Sequence, residues 1–138
     1  MLHDERKRVL VVDDDPDMCA LYSEWLSDAG FAVETATDGA SAVALATAQA
    51  LDVIVMDLQM PELDGYEAAQ LIRASIAGRG PYILALTGYT GPESRGAAHR
   101  SGCDDVLEKP LAPEALVSII REVLRELTGR LPVTDPDV

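Results

Sequence analysis

The hydrophobic pattern of this chain changes period again and again. Short, largely β-branched runs stand at Val9–Val12, Phe31–Ala36, Val53–Met56, Tyr82–Leu86 and Val106–Leu107. Apolar runs this short, bounded by turn formers, predict strands covered on both faces. Between them the spacing becomes helical. Met18, Leu21, Tyr22, Trp25 and Leu26 recur at i, i+3, i+4, i+7 and i+8, one face of a helix that ends at Gly30. Leu116, Ile119, Ile120, Val123, Leu124 and Leu127 repeat the pattern in a last helix that starts after Pro113. Asp64-Gly65-Tyr66-Glu67 has the form of a capping box, an acceptor side chain three residues before a Glu. Pro92 suits the first turn of a helix running to about Gly102. The strand–helix pair occurs five times. Strict alternation predicts an α/β fold, a doubly wound parallel sheet with helices on both faces. Such folds bind ligands beyond the carboxyl ends of their strands, so the residues that end strands matter most.

One predicted helix differs from the rest. Residues 92–102 contain no Leu, Ile, Val, Met or aromatic residue, and only Ala97 and Ala98 supply apolar side chains. Few buried contacts mean low local stability. A surface helix without consequence and a mobile signalling element both fit this composition.

Charge and composition narrow the function. The 138 residues carry 11 Lys and Arg against 24 Asp and Glu, a net charge of −13, and 48% of them are hydrophobic. That hydrophobic share excludes wholesale disorder, and the length suits one domain. The acid excess argues against nucleic acid as a partner, and equally against anionic membrane surfaces. The longest uncharged stretches, 39–51 and 80–92, fall short of the ~20 residues of a membrane span. The charged start, Met1 to Arg8, has no signal-peptide core. Cys19 and Cys103 form no paired motif. A soluble, cytoplasmic, reduced single domain is expected over residues 9–127. An N-terminal extension at 1–8 and a flexible C-terminal tail at 128–138 flank it.

Acids end two of the predicted strands. Val9–Val12 runs into Asp13-Asp14-Asp15, and Val53–Met56 runs into Asp57. A lone Asp after a strand is ordinarily a turn former or a cap, and Asp15 or Asp17 suits the cap of the first helix. Acids at the same end of two neighbouring parallel strands repel one another unless a cation intervenes. An oxygen-only donor set points to Mg²⁺, with Mn²⁺ as a substitute, rather than zinc. A calcium loop competes for the same residues, since Asp13, Asp15, Asp17 and Glu24 fall at its positions 1, 3, 5 and 12. Its glycine position holds Met18, and a strand rather than a helix precedes it. Two further strand ends supply a hydroxyl at Thr87-Gly88 and an ammonium at Glu108-Lys109-Pro110. No glycine-rich P-loop accompanies them.

The segments VLVVDDDP (9–16), VIVMDLQMPELDGYE (53–67), ALTGY (85–89) and EKPL (108–111) together resemble the receiver domains of two-component response regulators. The resemblance covers about residues 8–127. It implies the flavodoxin-like (βα)5 fold of the chemotaxis regulators, with strand order 2-1-3-4-5. Asp57 would be the phosphoacceptor for a phosphohistidine, presented by a histidine kinase or a histidine phosphotransfer protein. Asp14 and Asp57, with the backbone carbonyl of Gln59, would hold Mg²⁺ directly, and Asp13 through water. Thr87 and Lys109 would meet the phosphoryl oxygens, and the bond before Pro110 would be cis. The chain would be a signalling module rather than an enzyme acting on others, catalysing its own phosphorylation and dephosphorylation. A downstream protein, which the sequence does not name, would read the switch.

Charge arithmetic supports those roles independently. Asp13, Asp14 and Asp57 sum to −3, which Mg²⁺ and Lys109 balance. A phosphoryl group adds negative charge that can draw Thr87 and Lys109 inward, and helix 92–102 follows Thr87 in the chain. This favours the mobile reading of that helix.

Departures from the family pattern set further expectations. Val106 stands where many receivers have an aromatic residue that rotates inward, and Tyr89 is read either as its replacement or as an exposed loop residue. Gln59 and Tyr89 occupy positions that modulate dephosphorylation in the family. Gln59 is able to orient a water, but shielding by Tyr89 is expected to win and to make the Asp57 phosphate long-lived. Segments 64–73 and 86–110 look most like receivers of hybrid histidine kinases. The chain is therefore read as a stand-alone regulator, slightly favoured by Met1, or as a receiver from a larger protein. Docking is expected on the first helix near Met18 and Tyr22, or on the surface of 92–102 with 113–127. A Mg²⁺-dependent phosphatase would want an acid two residues after Asp57, where Gln59 stands. A phosphorylation-independent adaptor would have lost site residues, and none is lost.

Overall fold

The structure, a computed structural model, describes residues 5–78 and 80–130. Its elements alternate as the periodicity requires: β1 Arg8–Val12, α1 Pro16–Asp28, β2 Ala32–Ala36, α2 Gly39–Ala48, β3 Val53–Asp57, α3 Gly65–Ser75, β4 Tyr82–Thr87, α4 Pro92–Ser101, β5 Asp105–Glu108 and α5 Pro113–Arg130. All strand pairs are parallel, in the order β2-β1-β3-β4-β5. This is the flavodoxin-like order that the resemblance implies.

Side chains alternate across the sheet because the strand period is two. Val9, Val11, Val53 and Val55 face α1 and α5, packing with Tyr22, Leu26, Leu116 and Ile120. Leu10, Val12, Ile54 and Met56 face α2, α3 and α4, where the helices offer mainly Ala42, Ala46, Ala68, Ala69 and Ala98. β1 and β3 are buried almost throughout, which is why their sequences read as unbroken apolar runs. The edge strand β2 exposes Glu34 and Thr35.

Several boundaries differ from expectation for identifiable reasons. β1 begins at Arg8 because the Arg8 amide donates to Asp52 Oδ2 at 2.8 Å and the Arg8 carbonyl accepts from Asp52. α5 continues through Thr128, Gly129 and Arg130, with the Thr128 hydroxyl bonded to the Leu124 carbonyl at 2.9 Å. Those three residues were expected in the tail, and residues 131–138 lie outside the described residues. α1 buries only part of its apolar stripe. Cys19, Tyr22 and Leu26 are buried, whereas Leu21 and Trp25 are 39% and 41% exposed. The stripe is wider than the sheet and α5 together cover. Tyr22 is therefore not a docking residue, and its hydroxyl donates to the Leu111 carbonyl at 2.8 Å.

Candidate functional site

Parallel register brings the chemistry to one end of the sheet. β1 and β3 run side by side with Val12 opposite Met56, so Asp13 and Asp57 emerge together. Asp57 faces Leu86 on β4, and Thr87 faces Glu108 on β5, so Thr87 and Lys109 close the same end. Asp13, Asp57 and Thr87 are 2%, 3% and 1% exposed. Asp14 lies at the open side.

Local backbone holds these groups in place. Asp15 caps α1, accepting from the Asp17 amide at 2.9 Å. This disposes of the calcium loop, because Met18 lies inside α1 and a strand occupies the preceding flank. The Asp15 amide donates to Asp13 Oδ1 at 2.9 Å. Asp64 caps α3 by accepting from the Glu67 amide at 2.9 Å, one of the two bonds of a capping box. Gly65 is obligatory at that helix start, since a Cβ there would lie 2.3 Å from the Asp57 carbonyl oxygen. The bond between Lys109 and Pro110 is cis.

Lys109 Nζ bridges two carboxylates, 3.1 Å from Asp13 Oδ2 and 3.4 Å from Asp57 Oδ2. The Gln59 amide donates to Asp57 Oδ1 at 3.0 Å, and the Tyr89 amide donates to the Thr87 hydroxyl at 3.1 Å. The Thr87 proton is left for another acceptor. Burial raises the Asp57 carboxyl above the usual carboxylate range, despite the Gln59 amide and Lys109, and Asp13 adds to the rise. Burial alone would lower Lys109, but its hydrogen bond to Asp13 and the charges of Asp57 and Asp13 raise it. The ammonium is thus firmly charged at neutral pH.

The donor set fits a hard divalent cation. Asp13, Asp14 and Asp57 each present an oxygen, and these oxygens lie within 4.8 Å of one another. Three carboxylates around one ammonium leave −2 unbalanced, and oxygen-only ligation suits Mg²⁺ or Mn²⁺.

Two supporting groups escape sequence reasoning. Tyr22 ties α1 to Leu111, two residues beyond Lys109, and so steadies the loop that carries the ammonium. The Cys19 thiol donates to the Asp13 carbonyl at 3.3 Å beneath the acidic cluster. Helical periodicity marks Tyr22 as apolar core, and nothing in that signal reports where its hydroxyl ends. Tyr89 is 62% exposed, and its ring lies against Gly91 in its own loop. Val106 is buried on β5.

The model of the response regulator receiver domain matches residues 9–121. The chain is 39% identical over 121 residues to the response regulator MprA of Mycolicibacterium vanbaalenii, covering 88% of this chain and 52% of that protein. It is 35% identical over 125 residues to RpaA of Synechocystis, named as a DNA-binding dual master transcriptional regulator, covering 91% and 52%. The chain thus spans about half the length of these two relatives. Among solved structures, the Vibrio cholerae chemotaxis protein CheY4 superposes with a TM-score of 0.81 at 36% identity, over 86% of this chain and 98% of that one. MprA, RpaA and CheY4 carry regulator names, and none of them supports the likeness to hybrid-kinase receivers. The fold, the strand-end acids and these matches agree, and the chain belongs to the response regulator receiver domain family.

Proposed function

We propose that Asp57 accepts a phosphoryl group from the phosphohistidine of a histidine kinase or histidine phosphotransfer protein. One observation carries this reading: a buried carboxylate stands beside two others with an ammonium bridging Asp13 and Asp57. Attack by an Asp57 oxygen forms the new P–O bond as the P–N bond to the donor imidazole breaks, and the imidazole keeps the electron pair. Phosphoryl transfer has a loose, charge-spread transition state, so positioning and electrostatics do most of the work. Lys109 is placed to neutralise phosphoryl oxygens, and Thr87 to donate its hydroxyl to one of them. Asp13, Asp14, Asp57 and the Gln59 carbonyl are the groups to hold Mg²⁺ or Mn²⁺. The ion would supply the positive charge that lets the transferred group approach three carboxylates.

The same site returns the phosphoryl group to water, with Gln59 beside Asp57. The readout is partner binding in the cytoplasm, and the net charge of −13 argues against nucleic acid as the direct partner. No described helix is long and apolar enough to cross a membrane. Docking on α1 would use Leu21 and Trp25, which reach the surface beside the half-buried Met18, rather than Tyr22.

Incubation with acetyl phosphate and Mg²⁺, followed by intact mass, tests the proposal. One phosphoryl adduct is expected, not formed when the metal is chelated before the donor is added and absent in Asp57→Asn. An adduct that persists in Asp57→Asn, or none in the parent chain, overturns it.

A further inference from the structure

Four residues separate Thr87 from α4, and their bonds run to unexpected places. The Tyr89 amide donates to the Thr87 hydroxyl at 3.1 Å, so that hydroxyl is part of the turn of its own loop. The Thr90 hydroxyl donates to Glu108 Oε2 at 3.0 Å, at the end of β5 and next to Lys109. Arg95, one turn into α4, reaches back toward the helix start, as helical side chains do. Its Nε donates to the Thr90 carbonyl at 3.2 Å and its Nη1 to the Val106 carbonyl at 3.3 Å. Gly91, the residue before α4, provides no side-chain cap. The N-terminal end of α4 is therefore held to the loop and to β5 largely through one guanidinium.

The other end of α4 is held quite differently. Arg73 of α3 donates from Nε to the Gly102 carbonyl at 2.9 Å and from Nη1 to the Pro81 carbonyl at 2.7 Å. Its Nη2 pairs with Asp104 Oδ2 at 2.7 Å. Asp104 Oδ2 also accepts from the Ile83 amide at 2.8 Å. This cluster joins α3, β4 and the α4–β5 turn at the end of the sheet away from Asp57.

We infer that Arg95 is a positioning residue that couples Thr87 to α4, latching loop 88–91 to the helix and to β5 in the resting chain. The inference rests on the reading of Asp57 and Thr87 given above. Drawing Thr87 toward a phosphoryl group takes the acceptor from the Tyr89 amide and displaces Thr90. The Arg95 bonds then release, and α4 swings about the end that Arg73 holds. With Val106 in place of an aromatic on β5, the backbone of 88–90 and Arg95 carry the signal.

Hydrogen–deuterium exchange of the full chain, without phosphodonor, tests the latch in Arg95→Ala, Arg95→Lys and Arg73→Ala. Phosphorylation by acetyl phosphate with Mg²⁺ provides the second readout. A guanidinium–carbonyl latch of this exposure predicts about three- to tenfold faster exchange over residues 88–95 in Arg95→Ala. Phosphorylation should accelerate by a similar factor, because the competent conformation is more populated. Arg95→Lys, which keeps one of the two bonds, should fall between. Arg73→Ala should speed exchange over 99–104 and lower thermal stability without accelerating phosphorylation. Unchanged exchange over 88–95 in Arg95→Ala overturns the inference, as does equal acceleration of phosphorylation by Arg73→Ala. If the parent chain takes no phosphoryl group, the reading of Asp57 fails, while the exchange data still decide the role of Arg95.

Discussion

α4 and α5 lie on opposite faces of one sheet and flank the same site, yet they are held by different means. α5 buries Leu116, Val117, Ile120 and Val123 against β-strands and α1. α4 buries only Ala98 and Ser101, and its ends depend on Arg95 and Arg73. A fully buried Leu or Ile contributes ~1.5–3 kcal/mol, whereas one buried methyl contributes ~0.8 kcal/mol. α5 therefore belongs to the part of the fold that stays fixed while the site changes charge. α4 has little apolar area to lose by moving, so a change at Thr87 of modest free energy is enough to displace it. Directional polar bonds suit such an element because they break one at a time.

The largest effect should come from emptying the α5 side of the core. Ile120→Ala is expected to cost about 2–5 kcal/mol in urea denaturation. Ala98→Gly in α4 should cost about 1–2 kcal/mol, from helix propensity and one methyl. Equal costs at the two positions would break the comparison.

A smaller effect is expected at the acidic cluster between the two helices. Burial raises the Asp57 carboxyl, and the neighbouring Asp13 charge adds to the rise. A carboxyl raised in the folded state stabilises the fold while protonated, and that contribution is lost as pH rises through its folded value. The ionised group is then a liability to the metal-free protein. Without Mg²⁺, Asp57→Asn should melt above the parent chain at pH 7, and the gap should shrink as pH falls through the raised folded value toward the usual carboxylate range. Mg²⁺ should stabilise the parent more than the variant. A gap that widens on acidification would contradict the raised carboxyl.

The sequence was most legible where one physical pressure dominated. β1 and β3 had to be apolar on both faces, so their runs and the acids that end them stood out, and with them Asp13, Asp14 and Asp57. Thr87 and Lys109 followed from the same strand-end logic. The α1 stripe was harder, because periodicity alone does not say which half of a wide apolar face meets a neighbour. Leu21 and Trp25 share their spacing with Met18, Tyr22 and Leu26, and only packing against the core separates them. Arg73 and Arg95 were invisible for another reason. Each bonds carbonyl groups outside its own helix, and any long basic side chain on a polar helix face looks the same in sequence.

Tyr89 offers the finest test of how loosely the α4 end is tied to the chemistry. Its position two after Thr87 suggests a shield over Asp57, but its ring is 62% exposed and rests on Gly91. A ring placed there touches its own loop, and covering the acyl phosphate would require the loop to turn over. Removing an exposed side chain that makes no such cover changes free energies by about 0.5 kcal/mol at most, a factor of about two in rate. Tyr89→Ala should therefore leave the half-life of the phosphorylated chain within about twofold of the parent, followed by intact mass after removal of acetyl phosphate. A much shorter half-life would mean that phosphorylation carries the ring inward over Asp57. In that case loop 88–91 would move further than the release of Arg95 alone requires, and α4 would be coupled to the phosphoryl group through the Tyr89 ring as well as through Arg95.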